Sequence, residues 1–542
     1  MTINIADIFV KTARQKGSET AIIEAESGRK ISFAALNKKS DEYAFYLRKH
    51  GVCPGNIVML MVKPSAEFVI LTLTLFKIGA PIVLIDPGMG FKNLLRCISR
   101  VRPQYLIGIP RVIIFAKLFG KHFKSVHHIF CCGNSWGLLG KNMCKQSSAP
   151  SSFKVYQPKD DDIAAIIFTT GSTGPPKGVR YEHGIFAAQL RLIKDYYGIS
   201  ARDTDQPAFP LFALFSTAIG ACTVIPDMDS TKPAKVNPEK FINSIIEYNV
   251  SYSFGSPAIW NVVSRYCIKK KIVLESVEKI LMAGAPVPYD LIKRVSSILP
   301  ENALIYTPYG ATESLPIVSI EAKEILNSTW QLSRKGYGTC VGYPLPGIEI
   351  KIISINDSEI SEFKEELQVA AGEKGEIIVR GDVVTRAYEN NPDETKLSKI
   401  RDGESFWHRM GDVGYLDSQK RLWFCGRKAH RVVTAAGTLF SVPCEAIINE
   451  HPHVLRSALV GVKKKMNDEY AQPVLIVEPL HDRKIDKELL LSQISELARV
   501  NPITMGVEYF LIHNNFPVDI RHNAKIFREK LAIWAQKKIF PL

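Results

Sequence analysis

Residues 168–178, Phe-Thr-Thr-Gly-Ser-Thr-Gly-Pro-Pro-Lys-Gly, bring three glycines, four hydroxyl side chains and one lysine into eleven positions. That mixture suits anionic oxygens. Gly171, Gly174 and Gly178 let the backbone turn tightly and come close to a ligand, with amide N–H groups pointing at it. Thr169, Thr170, Ser172 and Thr173 add short hydroxyl donors, and Lys177 adds a mobile positive charge. The chemistry is that of a nucleotide-phosphate cradle. It differs from the Walker A loop, because only two residues separate Gly171 from Gly174 and a glycine follows Lys177. A polar surface turn is the bland alternative.

Four further groups could act with it. Tyr309-Gly310-Ala311-Thr312-Glu313 carries a carboxylate, and a hard cation prefers carboxylate and phosphate oxygens while keeping several waters. Ala283-Gly284-Ala285-Pro286 is a small-residue loop just upstream. In Gly411-Asp412-Val413-Gly414 the carboxylate could accept from two vicinal hydroxyls, with Arg427 shortly after it. Lys525 stands in a polar segment, 519–528, near the C-terminus. Alone, these read as a capped turn, a structural Gly-Asp turn and a solvated lysine.

The elements that must position them alternate. The apolar run 163–167 reads as a buried strand leading into the cradle. Upstream, 33–50 has helical spacing and stops at Gly51, 57–62 is a strand, 65–78 a helix ending at Gly79, and 81–85 a strand. This alternation implies parallel sheets covered by helices. Residues 133–158 read as a surface loop. Downstream, 185–197 and 241–248 are helical and 251–254 is a strand, while the aromatic run 209–215 is ambiguous by period. From about Gly338 shorter β segments follow (348–353, 375–379, 422–424). The last hundred residues read as α+β, with helices at 444–450 and 487–500 and a strand at 509–512.

The chain has 542 residues, enough for two or more domains, with 46% hydrophobic and 23% charged residues, as in soluble globular proteins. The net charge is +15, but no basic run reaches five residues, and the densest clusters are 269–271 and 463–465. Without a nucleic-acid motif or patch, no nucleic-acid partner is expected. ATP, pyrophosphate, an acidic substrate or an anionic membrane surface would all suit the charge. Ten scattered cysteines without paired CxxC spacing point to reduced thiols and a cytoplasmic protein. The N-terminus has no signal-peptide pattern, and the longest apolar run, 68–85, is broken by Lys77, Gly79 and Pro81, so no transmembrane segment is expected. Peripheral membrane contact stays open.

In their order along the chain, these motifs resemble those of the adenylate-forming superfamily of acyl-CoA synthetases, luciferases and peptide-synthetase adenylation domains. The likeness implies an AMP-binding N-terminal domain over 1–425, a hinge at 426–429 and a small mobile α+β lid over 430–542. It implies ATP and Mg²⁺ as cofactors. Residues 169–174 and Lys177 would hold the phosphates, Gly284, Ala285, Pro286, Tyr309, Gly310 and Ala311 the adenine, and Thr312 the α-phosphate. Glu313 would hold the metal, Asp412 the ribose, and Arg427 the ribose or phosphates. Lys525 would reach the α-phosphate and carboxylate. The aromatic run 209–215 would border the acyl pocket.

Within the superfamily, 209–215, 224–229, 255–258, 283–288 and 518–526 are similar to the β-lactone synthetases of long-chain olefin biosynthesis. That likeness implies adenylation of a 2-alkyl-3-hydroxy fatty acid and ring closure by its own hydroxyl. It also implies pathway partners: a condensing enzyme, a reductase and a decarboxylase. His183 is a candidate base for the hydroxyl. The alternative is a fatty acyl-CoA ligase using CoA. Against it, the family's hinge aspartate or lysine is Ala429 here, and its tunnel glycine is Ala436, with Gly437 one place late.

Overall fold

The computed structural model describes residues 2–133, 139–143, 152–169, 175–209, 211–465, 467–480, 486–519 and 525–540. They divide into two compact units. Unit 1 comprises Met1–Ile317, Leu345–Gly347 and Gly381–Thr395; unit 2 comprises Val318–Pro344, Ile348–Arg380 and Lys396–Leu542.

Unit 1 holds two seven-stranded sheets. One runs Lys141–Asn142, His128–Cys131, Tyr105–Gly108, Val58–Met61, Ile82–Leu84, Ile163–Thr169, Lys177–Glu182. Its strands are parallel except the last pair, which form an antiparallel hairpin. The other runs Leu304–Tyr306, Lys279–Met282, Tyr252–Gly255, Thr204–Asp205, Cys222–Ile225, Thr20–Glu24, Arg29–Ser32, and again only the terminal pair is antiparallel. The parallel helix-covered sheets match the expected fold class.

Helix Ala66–Ile78 shows how the sequence builds this layer. The Ser65 hydroxyl caps its start by accepting from the Phe68 amide at 3.3 Å. Gly79 ends it in the left-handed region at φ 78°. Twelve of its thirteen residues are buried, including Lys77. The lysine is satisfied rather than stranded: its ammonium donates to Asp41 at 2.6 Å, Ser40 at 2.7 Å and Asn37 at 2.8 Å, tying this helix to Phe33–Lys49. Burial still pulls its pKa below the ordinary lysine value, against the attraction of Asp41.

Unit 2 is built on an antiparallel sheet in the order Thr339–Pro344, Leu422–Arg427, Ser405–Leu416, Gly375–Arg380, Glu349–Ile353. A three-stranded sheet, Val454–Val462, Gln472–Pro479 and Tyr509–Ile512, carries helices Ser441–Ile448, Lys487–Arg499 and Arg528–Ile539. The β strands from 339 onward thus group with the C-terminal α+β piece. Gly426 shows how closely they meet: at φ 127°, an added Cβ would lie 2.4 Å from the Ser441 hydroxyl. Among the described residues, no helix is long and apolar enough to cross a membrane.

Candidate functional site

The expected strand is present as Ile163–Thr169, and the chain returns as strand Lys177–Glu182, with Thr169 opposite Lys177. Thr170, Gly171, Ser172, Thr173 and Gly174 lie outside the described residues, as does the Thr169 side chain. Lys177 starts a strand rather than sitting in the loop, so its Cα is held by the ladder. Its ammonium pairs with the Glu394 carboxylate and lies 5.4 Å from the centre of the Tyr388 ring.

Tyr388 links the two charged residues of unit 1. Its hydroxyl donates to Glu313 Oε1 at 2.8 Å. The backbone of Glu313 is held as well, its carbonyl accepting from the Thr385 amide at 2.9 Å and the Thr385 hydroxyl at 3.0 Å. A continuous chain therefore runs Glu394, Lys177, Tyr388, Glu313. With Oε1 accepting from a tyrosine that donates, Glu313 is a carboxylate held in place, an environment that fits one ligand of a hard cation. Thr385, Tyr388 and Glu394 were not foreseen. The signal was a Thr-x-x-Tyr segment between a strand and a proline-started helix, whose spacing carries no known phosphate chemistry.

Tyr309–Ala311 is a short strand, and Thr312–Glu313 form the tight turn before strand Ser314–Ser319. Gly310 is required there: an added Cβ would lie 2.5 Å from the Ser314 carbonyl oxygen. The Tyr181 hydroxyl donates to the Thr312 carbonyl, fixing the turn to the cradle hairpin. Gly284, Ala285 and Pro286 follow strand Lys279–Met282, which pairs in parallel with Tyr252–Gly255 and Leu304–Tyr306. The 284–286 loop and the Tyr309 segment therefore leave the same carboxyl edge of one parallel sheet, the usual ligand side of such sheets. At that edge Phe212 stacks on Phe254, centroids 3.8 Å apart. The expected aromatic run resolves into a helix, Phe212–Ile219, and Ala213 with Val69, Pro207, Ala208 and Ile225 lines an apolar cleft.

His183 is not part of this group. It follows Glu182, which pairs with Ile163, while the cradle leaves Thr169. Six residues of strand, ~20 Å, separate the two ends. The ring is buried against Phe76 and Tyr156, and neither nitrogen has a hydrogen-bond partner among the described residues. Burial pulls its pKa to about 4, against the pull of Asp162. A buried ring without a hydrogen-bond partner among the described residues gives no support to a role as base for the substrate hydroxyl.

In unit 2, Asp412 and Arg427 occupy facing positions of strands Ser405–Leu416 and Leu422–Arg427. Asp412 is buried and its Oδ1 lies 3.1 Å from Arg427 Nη1, which also donates to the Met410 carbonyl at 3.2 Å. Lys525 stands at the closing end of segment 520–524, which lies outside the described residues. Its amide donates to Asp519 Oδ1 at 2.9 Å and its carbonyl accepts from the Asp519 amide at 3.0 Å. Ile526, the next residue, is buried in the core cluster that holds Val460 and Leu531, and anchors it. Burial and then the Arg427 charge lower the Lys525 pKa, and Asp519 and Glu529 oppose them. His430, which shares Arg427 and Glu529 as neighbours, is pulled to about 4, first by burial and then by Arg528, although Glu529 lies 3.3 Å away. Unit 2 thus gathers Asp412, Arg427 and Lys525 into one electrostatic neighbourhood. Lys428, within the expected hinge, donates to Glu376 at 2.9 Å and to the Asn356 carbonyl at 2.7 Å.

A family model described as "AMP-binding enzyme" matches residues 9–389. The chain belongs to the AMP-binding enzyme family. This AMP-binding enzyme is an AMP-forming acid ligase, which activates an acid as its adenylate. It is 40% identical to an olefin β-lactone synthetase from Xanthomonas campestris pv. campestris, covering 99% of this chain and 98% of the relative. It is also 40% identical to one from Stenotrophomonas maltophilia, covering 94% and 92%. The amide bond synthetase McbA from Marinactinospora thermotolerans shares its fold, with a TM-score of 0.81 at 20% identity, covering 98% of this chain and 99% of that one.

Proposed function

We propose that this AMP-binding enzyme converts a long-chain 2-alkyl-3-hydroxy acid to a β-lactone in two steps. The observation that carries the reading is the 40% identity to two olefin β-lactone synthetases, extending over nearly the whole chain.

In the first step a carboxylate oxygen of the acid attacks the α-phosphorus of ATP. The bond to the bridging oxygen breaks and pyrophosphate leaves. The protein's part is positioning and charge stabilisation. Residues 169–174 and Lys177 take the β- and γ-phosphates, the lysine exchanging Glu394 for the stronger anion. Gly284, Ala285, Pro286, Tyr309, Gly310 and Ala311 flank the adenine, Thr312 meets the α-phosphate, and Asp412 and Arg427 hold the ribose side. Lys525 neutralises charge on the α-phosphate and the incoming carboxylate. Mg²⁺, held by Glu313, would supply further charge neutralisation on the phosphate oxygens.

In the second step the substrate's own 3-hydroxyl oxygen bonds to the acyl carbon. The acyl–phosphate oxygen bond breaks, AMP leaves and the hydroxyl proton is released. Tethering the nucleophile offsets part of the ring strain, since well-oriented intramolecular groups reach effective molarities on the order of 10⁵ M or more. Ala429 and Ala436, in place of the hinge and tunnel residues of CoA ligases, favour this reading over thioester formation. Chemistry upstream must condense two acyl chains and reduce a ketone, and chemistry downstream must decarboxylate the lactone. The reading includes a cytoplasmic enzyme with domains 1–425 and 430–542 turning about 426–429.

Incubation with ATP, Mg²⁺ and a 2-alkyl-3-hydroxy acid, with and without CoA, tests it. Lactone, AMP and pyrophosphate without CoA are expected. A strict CoA requirement with a thioester product would overturn the lactone step.

A further inference from the structure

We propose that the outward face of helices Phe91–Val101 and Pro110–Leu118 docks onto an anionic phospholipid bilayer.

The charge pattern is lopsided. Between Asp86 and Asp160 the chain contains no Asp or Glu but twelve Lys or Arg, so these residues supply twelve of the net fifteen positive charges. Over 91–124, the two helices and the turn after them, the exposed charges are Lys92, Arg96, Arg102, Arg111, Lys117, Lys121 and Lys124, every one basic. In their midst lies apolar surface. Phe91 is 60% exposed, Ile114 47% and Leu118 76%, values high for large hydrophobics in a folded unit.

The apolar residues form one patch. Ile114 and Leu118 stand one turn apart on the outward side of Pro110–Leu118, flanked by Arg111 and Lys117. Phe91, from the neighbouring helix, joins them through ring contacts with Phe115 at 5.0 Å and Phe119 at 5.7 Å. Phe115 in turn packs edge-on against the buried Phe123 at 6.0 Å, which roots the patch in the core.

An apolar centre with a basic rim complements a bilayer whose headgroups are anionic and whose acyl boundary is apolar. A nucleic acid would satisfy the rim and leave Ile114 and Leu118 in water. A two-fold contact with a second copy would set two helix pairs whose own exposed charges are all basic against each other and force like charges together. Of these three, the bilayer matches both features. Its consequence for delivery of a two-chain acid rests on the lipid-acid reading above; docking itself does not, and is measured without substrate.

The full chain is mixed with vesicles of phosphatidylcholine alone, or of phosphatidylcholine and phosphatidylglycerol in equal parts, and separated by flotation. Binding to the anionic vesicles only, weakened by high salt, is expected. Lys121→Glu with Lys124→Glu should weaken it more than about tenfold, at roughly fivefold per basic residue lost near an anionic surface. Ile114→Ser with Leu118→Ser should weaken it by about tenfold or more, from lost apolar insertion. Thermal melting verifies that each variant is folded; all four positions are exposed. Three outcomes would overturn the proposal: no flotation with anionic vesicles, variant pairs that bind the anionic vesicles as tightly as the unchanged chain, or a dimer in analytical ultracentrifugation that the serine pair dissociates while vesicles stay unbound.

Discussion

Asp412 and Arg427 face each other across two adjacent strands, their charged atoms 3.1 Å apart. The two residues belong to separate sequence motifs, and each was expected to meet the nucleotide on its own. In the fold they hold each other first, the buried carboxylate orienting a guanidinium that is more exposed. In the proposed reaction, a ribose binding to Asp412 therefore meets a carboxylate already in place.

Asp412→Asn should lower kcat/KM for ATP in pyrophosphate exchange by about tenfold to a hundredfold, the size of one lost charge-assisted contact, ~1.5–3 kcal/mol. Arg427→Gln should do similarly. Because the pair acts as one unit, the double variant should cost clearly less than the sum of the two. Strict additivity in the exchange assay would show that the pairing has no role in nucleotide binding.

Much of this was legible and some was not, for physical reasons. The strand before the cradle, and the helix ended by Gly79, carry strong local signals: an isoleucine-rich run and a left-handed glycine cap. Helix 185–197 was foreseen, but it begins at His183 and changes to π geometry over Leu192–Tyr196, which no periodicity reports. Helix Arg528–Ile539 was missed, because its flanking basic residues mask a narrow apolar face of Leu531 and Ala535. Tyr388 and Glu394 could not be found by motif, since their roles arise from a segment that returns to the cradle two hundred residues later. Lys525 could be matched by likeness, yet its depressed pKa comes from burial and then from Arg427, and only folding supplies either.

Tyr388→Phe removes the hydroxyl that donates to Glu313 while keeping the ring beside Lys177. The Mg²⁺ concentration needed for half-maximal pyrophosphate exchange should rise about threefold to tenfold, with the maximal rate little changed, as for loss of one hydrogen bond of ~1 kcal/mol. Glu313→Gln should reduce the maximal rate by about a hundredfold or more. An unchanged Mg²⁺ profile in Tyr388→Phe would separate this tyrosine from the metal.

His183 is buried neutral, its pKa drawn from 6.5 to about 4. Unfolding frees the ring to bind a proton between those values, so the unfolded chain holds more protons there. Stability is therefore full above pH 6.5 and falls as the pH drops towards 4, by up to ~3 kcal/mol from this group. His183→Leu should lose about that much less between pH 7.5 and 4 in urea denaturation, and should keep its pyrophosphate exchange. A large loss of exchange in a folded His183→Leu protein would return the histidine to the chemistry.

Lys525 works, in the proposed reaction, only while charged. Burial and Arg427 both hold its pKa below the ordinary 10.5, with Asp519 and Glu529 pulling the other way. Its charge is therefore lost at lower pH than that of a solvated lysine, and adenylation should decline on the alkaline side before pH 10.5 is reached. Arg427→Gln removes one of the two depressing influences, so the alkaline limb of the remaining activity should move to higher pH. Asp519→Asn removes an opposing charge and should move it lower. Lys525→Met should abolish the limb together with most of the rate, by about a hundredfold or more. Stability carries the opposite sign. The folded chain binds this proton less tightly than the unfolded one, so the cost of burying the charge is relieved as pH rises through the depressed pKa. A pH–rate profile of pyrophosphate exchange for the four proteins decides the matter, and an alkaline limb that ignores both Arg427→Gln and Asp519→Asn would detach it from Lys525.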